Sequence, residues 1–166
     1  IIPGLLHEIP RTAVHGLDGE FNASPGRHYN NRKGTVDILN SPENPTGGVL
    51  EESDVRTIAE IARERDIYVL SDEVYEYISY AGKPFSIASL PGMLDRTILM
   101  NGFSKTYAMT GWRLGWLVLP PPLVPVVERL AQNLFICPSA IAQHAALACF
   151  DLLEQFLDCA PARVTS

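Results

Sequence analysis

The sequence contains no apolar run approaching the ~18–20 residues that a membrane-spanning helix requires. It holds only 3 cysteines, Cys137, Cys149 and Cys159, an odd number with no close pair of the metal-binding kind. A disulfide framework and a thiolate metal centre are therefore excluded as organising principles, and reduced, partly buried thiols are expected. An excess of positive charge is missing as well. With a net charge of −6 the chain is a poor fit to nucleic acid. Its one basic cluster, Arg27-His28-Tyr29-Asn30-Asn31-Arg32-Lys33, is short and aperiodic, and reads as a solvated loop. The opening Ile1-Ile2-Pro3-Gly4-Leu5-Leu6 is broken by proline and has no basic leader, unlike a secretory signal. The expectation is a cytoplasmic protein that engages neither membrane nor nucleic acid.

What is present suits one globular core. Hydrophobic residues make up 46% of the 166 residues and charged residues 19%, which is the balance of a packed domain rather than of a disordered chain. Residues 1–34 are rich in Pro, Gly, His and Asn without periodicity, and form an irregular N-terminal segment. From Thr35 the pattern changes. A strand is predicted over Thr35–Leu39, stopped by the turn-rich Asn40-Ser41-Pro42-Glu43-Asn44-Pro45-Thr46-Gly47-Gly48. Val55, Ile58, Ala59, Ile61 and Ala62 recur at helical spacing, which predicts a helix over Ser53–Arg65 with Ser53 as its N-cap and Glu51, Glu52 and Asp54 near its positive end. Further strands are predicted at Ile67–Leu70, Thr97–Met100 and Leu114–Leu119, followed by helices over Leu123–Leu134 and Ser139–Leu157. Short apolar strands alternating with helices indicate an α/β fold, a mostly parallel sheet with helices on both faces.

In such sheets ligands gather beyond the carboxyl ends of the strands. Asn44 follows the first predicted strand, Asp72 the second and Lys105 the third, so all three fall on one edge. Lys105 lies in Gly102-Phe103-Ser104-Lys105, flanked by small or aromatic residues, a setting suited to an amine that forms an imine with an aldehyde. Arg113, eight positions on among Gly111, Trp112 and Gly115, is expected to be buried enough to need a fixed anion, and its planar fork suits a phosphate. Asp72 reads either as a turn cap or as a carboxylate against a ring nitrogen, where it would favour the protonated ring. Tyr75 either packs or hydrogen-bonds a phenolic oxygen, with Asn44 donating to the same atom. An amine, a carboxylate and a phosphate-binding arginine are the groups that pyridoxal phosphate chemistry needs.

These segments resemble a known family, the fold-type I, class I aminotransferases that depend on pyridoxal 5'-phosphate. Asn40–Gly47 resembles the family's asparagine-proline-threonine-glycine loop, and Ser71-Asp72-Glu73-Val74-Tyr75 its aspartate–tyrosine strand end. Gly102 through Gly115 resembles the lysine signature, including the Lys-to-Arg spacing, and Met109-Thr110-Gly111-Trp112-Arg113 is nearest to the bacterial aspartate and aromatic branch. The resemblance implies that residues 35–157 are part of the cofactor-binding large domain, that residues 158–166 are a tail and that the small C-terminal domain is absent. It implies that Lys105 binds the cofactor covalently and shuttles a proton, and that Asp72 pairs with the pyridine nitrogen. Asn44 and Tyr75 would hold the phenolic oxygen, and Arg113 the phosphate. Gly102 stands where many relatives have a phosphate-binding serine. An amino acid and a 2-oxo acid are the implied substrates, and a homodimer the implied assembly of the full-length family. The same lysine and aspartate would also serve a carbon–sulfur β-lyase. A non-catalytic remnant is the third reading, since the segments expected to supply a stacking ring, a phosphate-cupping loop and a carboxylate-binding arginine are not found here. An open sheet edge and an exposed apolar face are expected to accompany their absence.

Overall fold

Strands form where short aliphatic runs recur, and the polar residues just beyond each run turn out to belong to them. The computed structural model describes residues 36–80 and 82–152. β1 (Val36–Asn40) leads to α1 (Glu52–Glu64), β2 (Tyr68–Asp72), β3 (Thr97–Gly102), the single turn α2 (Phe103–Thr106), β4 (Gly115–Val118), α3 (Val124–Leu134) and α4 (Ala140–Asp151). Thr35, the irregular segment 1–34 with its basic cluster, the helical turns expected up to Leu157, the 158–166 tail and Cys159 lie outside the described residues.

Strand order follows chain order, β1-β2-β3-β4. β1 and β2 pair in parallel, as do β2 and β3, while β4 runs antiparallel to β3. The mostly parallel α/β sheet expected from the sequence is thus present, with one reversed strand at its edge. That reversal has a simple origin: the 103–114 connection stays at one rim, so the next strand has to run back. β2 and β3 extend to Asp72 and Gly102, two residues past the apolar runs, because the ladder continues through Ser71–Leu99, Asp72–Met100, Asn101–Trp116 and Gly102–Gly115.

α1 buries Val55, Ala59 and Ala62 against Ile67, Val69, Ile87, Leu90 and Met93, with Leu39 at the margin. Ser53 is not its cap. The first turn closes earlier, with the N–H groups of Asp54 and Val55 both returning to the Glu51 carbonyl, and Glu52 and Asp54 face the positive end of the helix. A second cluster of Phe103, Met109, Leu114, Ala142, Ala146 and Cys149 seats α4 against the segment linking β3 to β4. Cys149 is buried as expected of a packed thiol, whereas Cys137 is exposed, since it lies in the turn between α3 and α4. Among the described residues β1 stands at the edge of the sheet, and its Ile38 is 44% exposed. No described helix is long and apolar enough to cross a membrane.

Side chains alternate along a strand and paired positions share a face. Leu39, Ser71 and Leu99 therefore lie on the α1 face, and Asn40, Asp72 and Met100 on the other. Close approach of β3 and β4 requires the Gly102–Gly115 pair: a Cβ added at Gly102 would stand 3.1 Å from the Leu114 carbonyl oxygen and 3.3 Å from the Gly115 Cα. Both are backbone atoms that cannot swing aside. Gly102→Ala is expected to cost about 1–3 kcal/mol, read as a lower urea midpoint. An unchanged midpoint would show that the strands separate without penalty.

Candidate functional site

Four segments reach the rim where β1, β2 and β3 end. Asn40, Asp72 and Met100 stand side by side in register. Beyond them the Ser41 N–H donates to the Asp72 carbonyl at 3.4 Å and the Glu73 N–H to the Met100 carbonyl at 2.9 Å. β4 is reversed, so its beginning, not its end, lies here, and the Phe103 N–H meets the Leu114 carbonyl at 3.1 Å. Asn44, Asp72, Tyr75, Lys105 and Arg113 consequently all belong to one rim.

Three of them are in contact. The loop after β1, with cis peptides at Ser41–Pro42 and Asn44–Pro45, is pinned by the Asn44 N–H on Asn40 Oδ1 at 2.8 Å. Asn44 Nδ2 donates to the Tyr75 hydroxyl at 3.2 Å. Lys105 Nζ lies 5.5 Å from the centre of the Tyr75 ring, within reach of a cation–π attraction. Asp72 is buried, and its Oδ1 accepts the Val74 N–H at 3.3 Å, so this carboxylate also closes the turn that carries Tyr75.

Lys105 is half-buried on α2, whose seat is the fully buried Phe103. That ring contacts Tyr107 at 5.1 Å and Phe150 at 5.6 Å between centroids. Next to the lysine, Ser104 Oγ is buried with no hydrogen-bond partner, and so is Asn40 Nδ2 beside Asp72. Ser79 Oγ, Arg96 Nε and Thr97 Oγ1 are orphaned elsewhere; at the rim, a ligand that brings acceptor oxygens would satisfy Ser104 and Asn40. A phosphorylated pyridine aldehyde carries such oxygens, so the residues present fit the cofactor expected from the sequence.

Arg113 departs from expectation. It is exposed, not buried, because the 3-10 turn Thr110–Trp112 carries the chain outward and burial resumes only at Leu114. Its backbone is left-handed (φ 51°, ψ 51°), a conformation that disfavours any residue with a Cβ by ~1–2 kcal/mol. Its Nη1 donates to the Thr110 carbonyl at 2.9 Å. Asp66, Ala108 and Ile136 also have positive φ, so the conformation by itself assigns Arg113 no role.

Sequence reasoning passed over Glu73, Glu76 and Asn101. Glu73 Oε1 accepts the hydroxyls of Ser71 at 2.9 Å and Ser86 at 2.6 Å. Glu76 Oε1 accepts Asn101 Nδ2 at 2.6 Å. Both glutamates line a cavity of about 480 Å³ with Ser71, Lys83, Phe85 and Ile87. None of the five predicted residues lines it, since Ser71 faces α1 while Asp72 faces away. The available signal was the polar tail, Ser71-Asp72 and Asn101-Gly102, after each apolar run.

The chain matches the family model for aminotransferases of class I and II over residues 26–164. It is 54% identical over 110 residues to aromatic-amino-acid aminotransferase 2 of Thermococcus litoralis, a match covering 66% of this chain and 28% of that protein. Aspartate aminotransferase of Pyrococcus abyssi is 46% identical over 132 residues, 78% of this chain and 34% of the relative. The crystal structure of an aromatic aminotransferase from Pyrococcus horikoshii OT3 superposes with a TM-score of 0.68 at 42% identity, covering 74% of this chain and 35% of the other. The chain spans about a third of the length of the relatives it matches.

Burial pushes the Glu76 carboxyl above the ordinary value of 4.5; the Asn101 hydrogen bond opposes that rise, Glu73 adds to it and Lys83 opposes it. The folded chain then holds this proton more tightly than the unfolded one, so ionising Glu76 costs stability as pH rises. That cost is absent well below pH 4.5 and complete above the raised value. Glu76→Gln keeps an oxygen for Asn101 without ionising. Its melting temperature is expected to gain on the parent's progressively as pH climbs past 4.5. A difference independent of pH would show that Glu76 ionises as easily in the fold as in solution.

Proposed function

The chain belongs to the class I and II aminotransferases, and from that premise we propose that residues 35–157 are part of a large domain that binds pyridoxal 5'-phosphate. In the whole protein this domain transfers an amino group from an amino acid to a 2-oxo acid. The observation that carries the reading is the meeting of the Lys105 amine, the Tyr75 ring and the Asn44 amide at the rim where Asp72 ends β2.

When bound, the cofactor supplies an electron sink that acidifies the substrate's α-carbon. The chain's own residues do the rest. Lys105 Nζ would hold the cofactor through its aldehyde carbon and would move a proton to and from the substrate's α-carbon. Asp72 holds a proton on the ring nitrogen through its negative charge. The Tyr75 hydroxyl accepts from Asn44, which leaves its own proton to donate to the phenolic oxygen. The Ser104 hydroxyl and the Arg113 guanidinium would hold the phosphate, which would give the orphaned Oγ a partner.

The finer placement is the aspartate and aromatic-amino-acid branch, supported by Met109–Arg113 and by the names of the relatives above. All three come from Thermococcus or Pyrococcus, so the support attaches to the specificity and not to a bacterial origin. A cytoplasmic homodimer is the assembly proposed for the whole protein.

The sequence has three lysines, Lys33, Lys83 and Lys105. Addition of pyridoxal 5'-phosphate followed by borohydride is expected to fix the cofactor on Lys105, with the signal lost in Lys105→Ala. Equal labelling of Lys33 and Lys83 would overturn the assignment. Asp72→Ala is expected to slow the amino-acid half-reaction of the cofactor-loaded protein about 100-fold or more, with a smaller effect on melting temperature. Parallel losses of stability and rate would mark Asp72 as a turn cap alone.

A further inference from the structure

We infer that Glu76 and Asn101 are positioning residues for Lys105: their hydrogen bond ties the turn carrying Tyr75 to the strand end carrying the lysine, and so fixes the amine over the Tyr75 ring. The inference rests on the proposed reading of Lys105 as the reactive amine.

Tyr75 and Lys105 belong to different segments, one after β2 and one after β3, and the Lys105–Tyr75 contact depends on how these are held together. Before Tyr75, the Glu73 N–H bonds the Met100 carbonyl at 2.9 Å. After Tyr75, Glu76 Oε1 accepts Asn101 Nδ2 at 2.6 Å. The tyrosine is thus bracketed by two ties to the last residues of β3. Within the turn, the Glu76 N–H returns to Glu73 at 3.0 Å and the Ile78 N–H to Tyr75 at 2.8 Å. Those bonds shape the turn without linking it to β3.

Asn101 is well suited to the task. It is 4% exposed, so an amide group left unpaired there would be costly. Its Oδ1 accepts the Gly102 N–H at 2.7 Å, which turns Nδ2 toward Glu76. One side chain therefore holds the backbone three residues ahead of Lys105 and the residue next to Tyr75. Glu76 is not among the residues assigned to the cofactor and acts through the placement of others.

The test is competitive trace acetylation of the full chain without cofactor, reading Lys105 against Lys33 and Lys83 by peptide mass spectrometry. Glu76→Ala is expected to raise the Lys105 share about fivefold, the change in population that loss of one ordinary hydrogen bond permits. Glu76→Gln, which keeps an acceptor oxygen, is expected to restore the parent value. Glu76→Asp keeps the charge but falls one methylene short, and should shift the share in the same direction as alanine, so a failure of Glu76→Ala to fold leaves the question decidable. A lower melting temperature with an unaltered Lys105 share in a folded variant overturns the inference. Borohydride trapping of pyridoxal 5'-phosphate on the same variants forms a second arm. Loss of trapping in the parent chain would sink the cofactor reading while leaving the acetylation result to decide the positioning role.

Discussion

Parallel pairing of three strands with a reversed fourth governs everything at the rim. Because Asn40, Asp72 and Met100 stand in register, the loops that leave β1, β2 and β3 start from one line. Because Gly102 faces Gly115 with no Cβ between the backbones, β3 and β4 pair closely and the Leu114 carbonyl reaches the Phe103 N–H. The chemistry is held by strand register, which is strongly specified wherever a face is buried, rather than by the loops themselves.

Three carboxylates within five residues have three different situations, and strand geometry sorts them. Asp72 faces away from α1 and closes the Tyr75 turn. Glu73 faces the α1 side, where two serine hydroxyls satisfy it. Glu76, on the way out of the turn, reaches back to β3. Like charges so close in sequence would repel in an extended chain. Here the first two point to opposite faces, and each of the three finds its own donor.

Much of this was legible in the sequence. Hydrophobic runs marked every strand, helical spacing marked α1, and the turn residues after β1 marked the loop of Asn44. Asn44, Asp72 and Lys105 were legible as a set because each follows a predicted apolar run. Strand ends were not, since Ser71, Asp72, Asn101 and Gly102 are held by ladder bonds that depend on neighbouring strands and leave no local hydrophobic trace. The exposure of Arg113 was misjudged for a related reason. Its glycine and tryptophan neighbours suggest a crowded site, whereas burial there depends on where β4 begins. The Glu76–Asn101 link joins residues 25 apart, and nothing short-range announces it.

The reversed strand has a consequence for how such a rim changes over time. The Phe103–Leu114 hydrogen bond closes the 103–114 segment at its base, so a residue added among the exposed Thr110, Gly111 and Trp112 would bulge outward while both flanks keep their places. A one-residue slip in the pairing of β4 would instead exchange Leu117 with its outward neighbours and lift Leu114 from its pocket. Variation in length is therefore cheap at the crest of this segment and ruinous at its foot, a division of tolerance set by a single antiparallel pair.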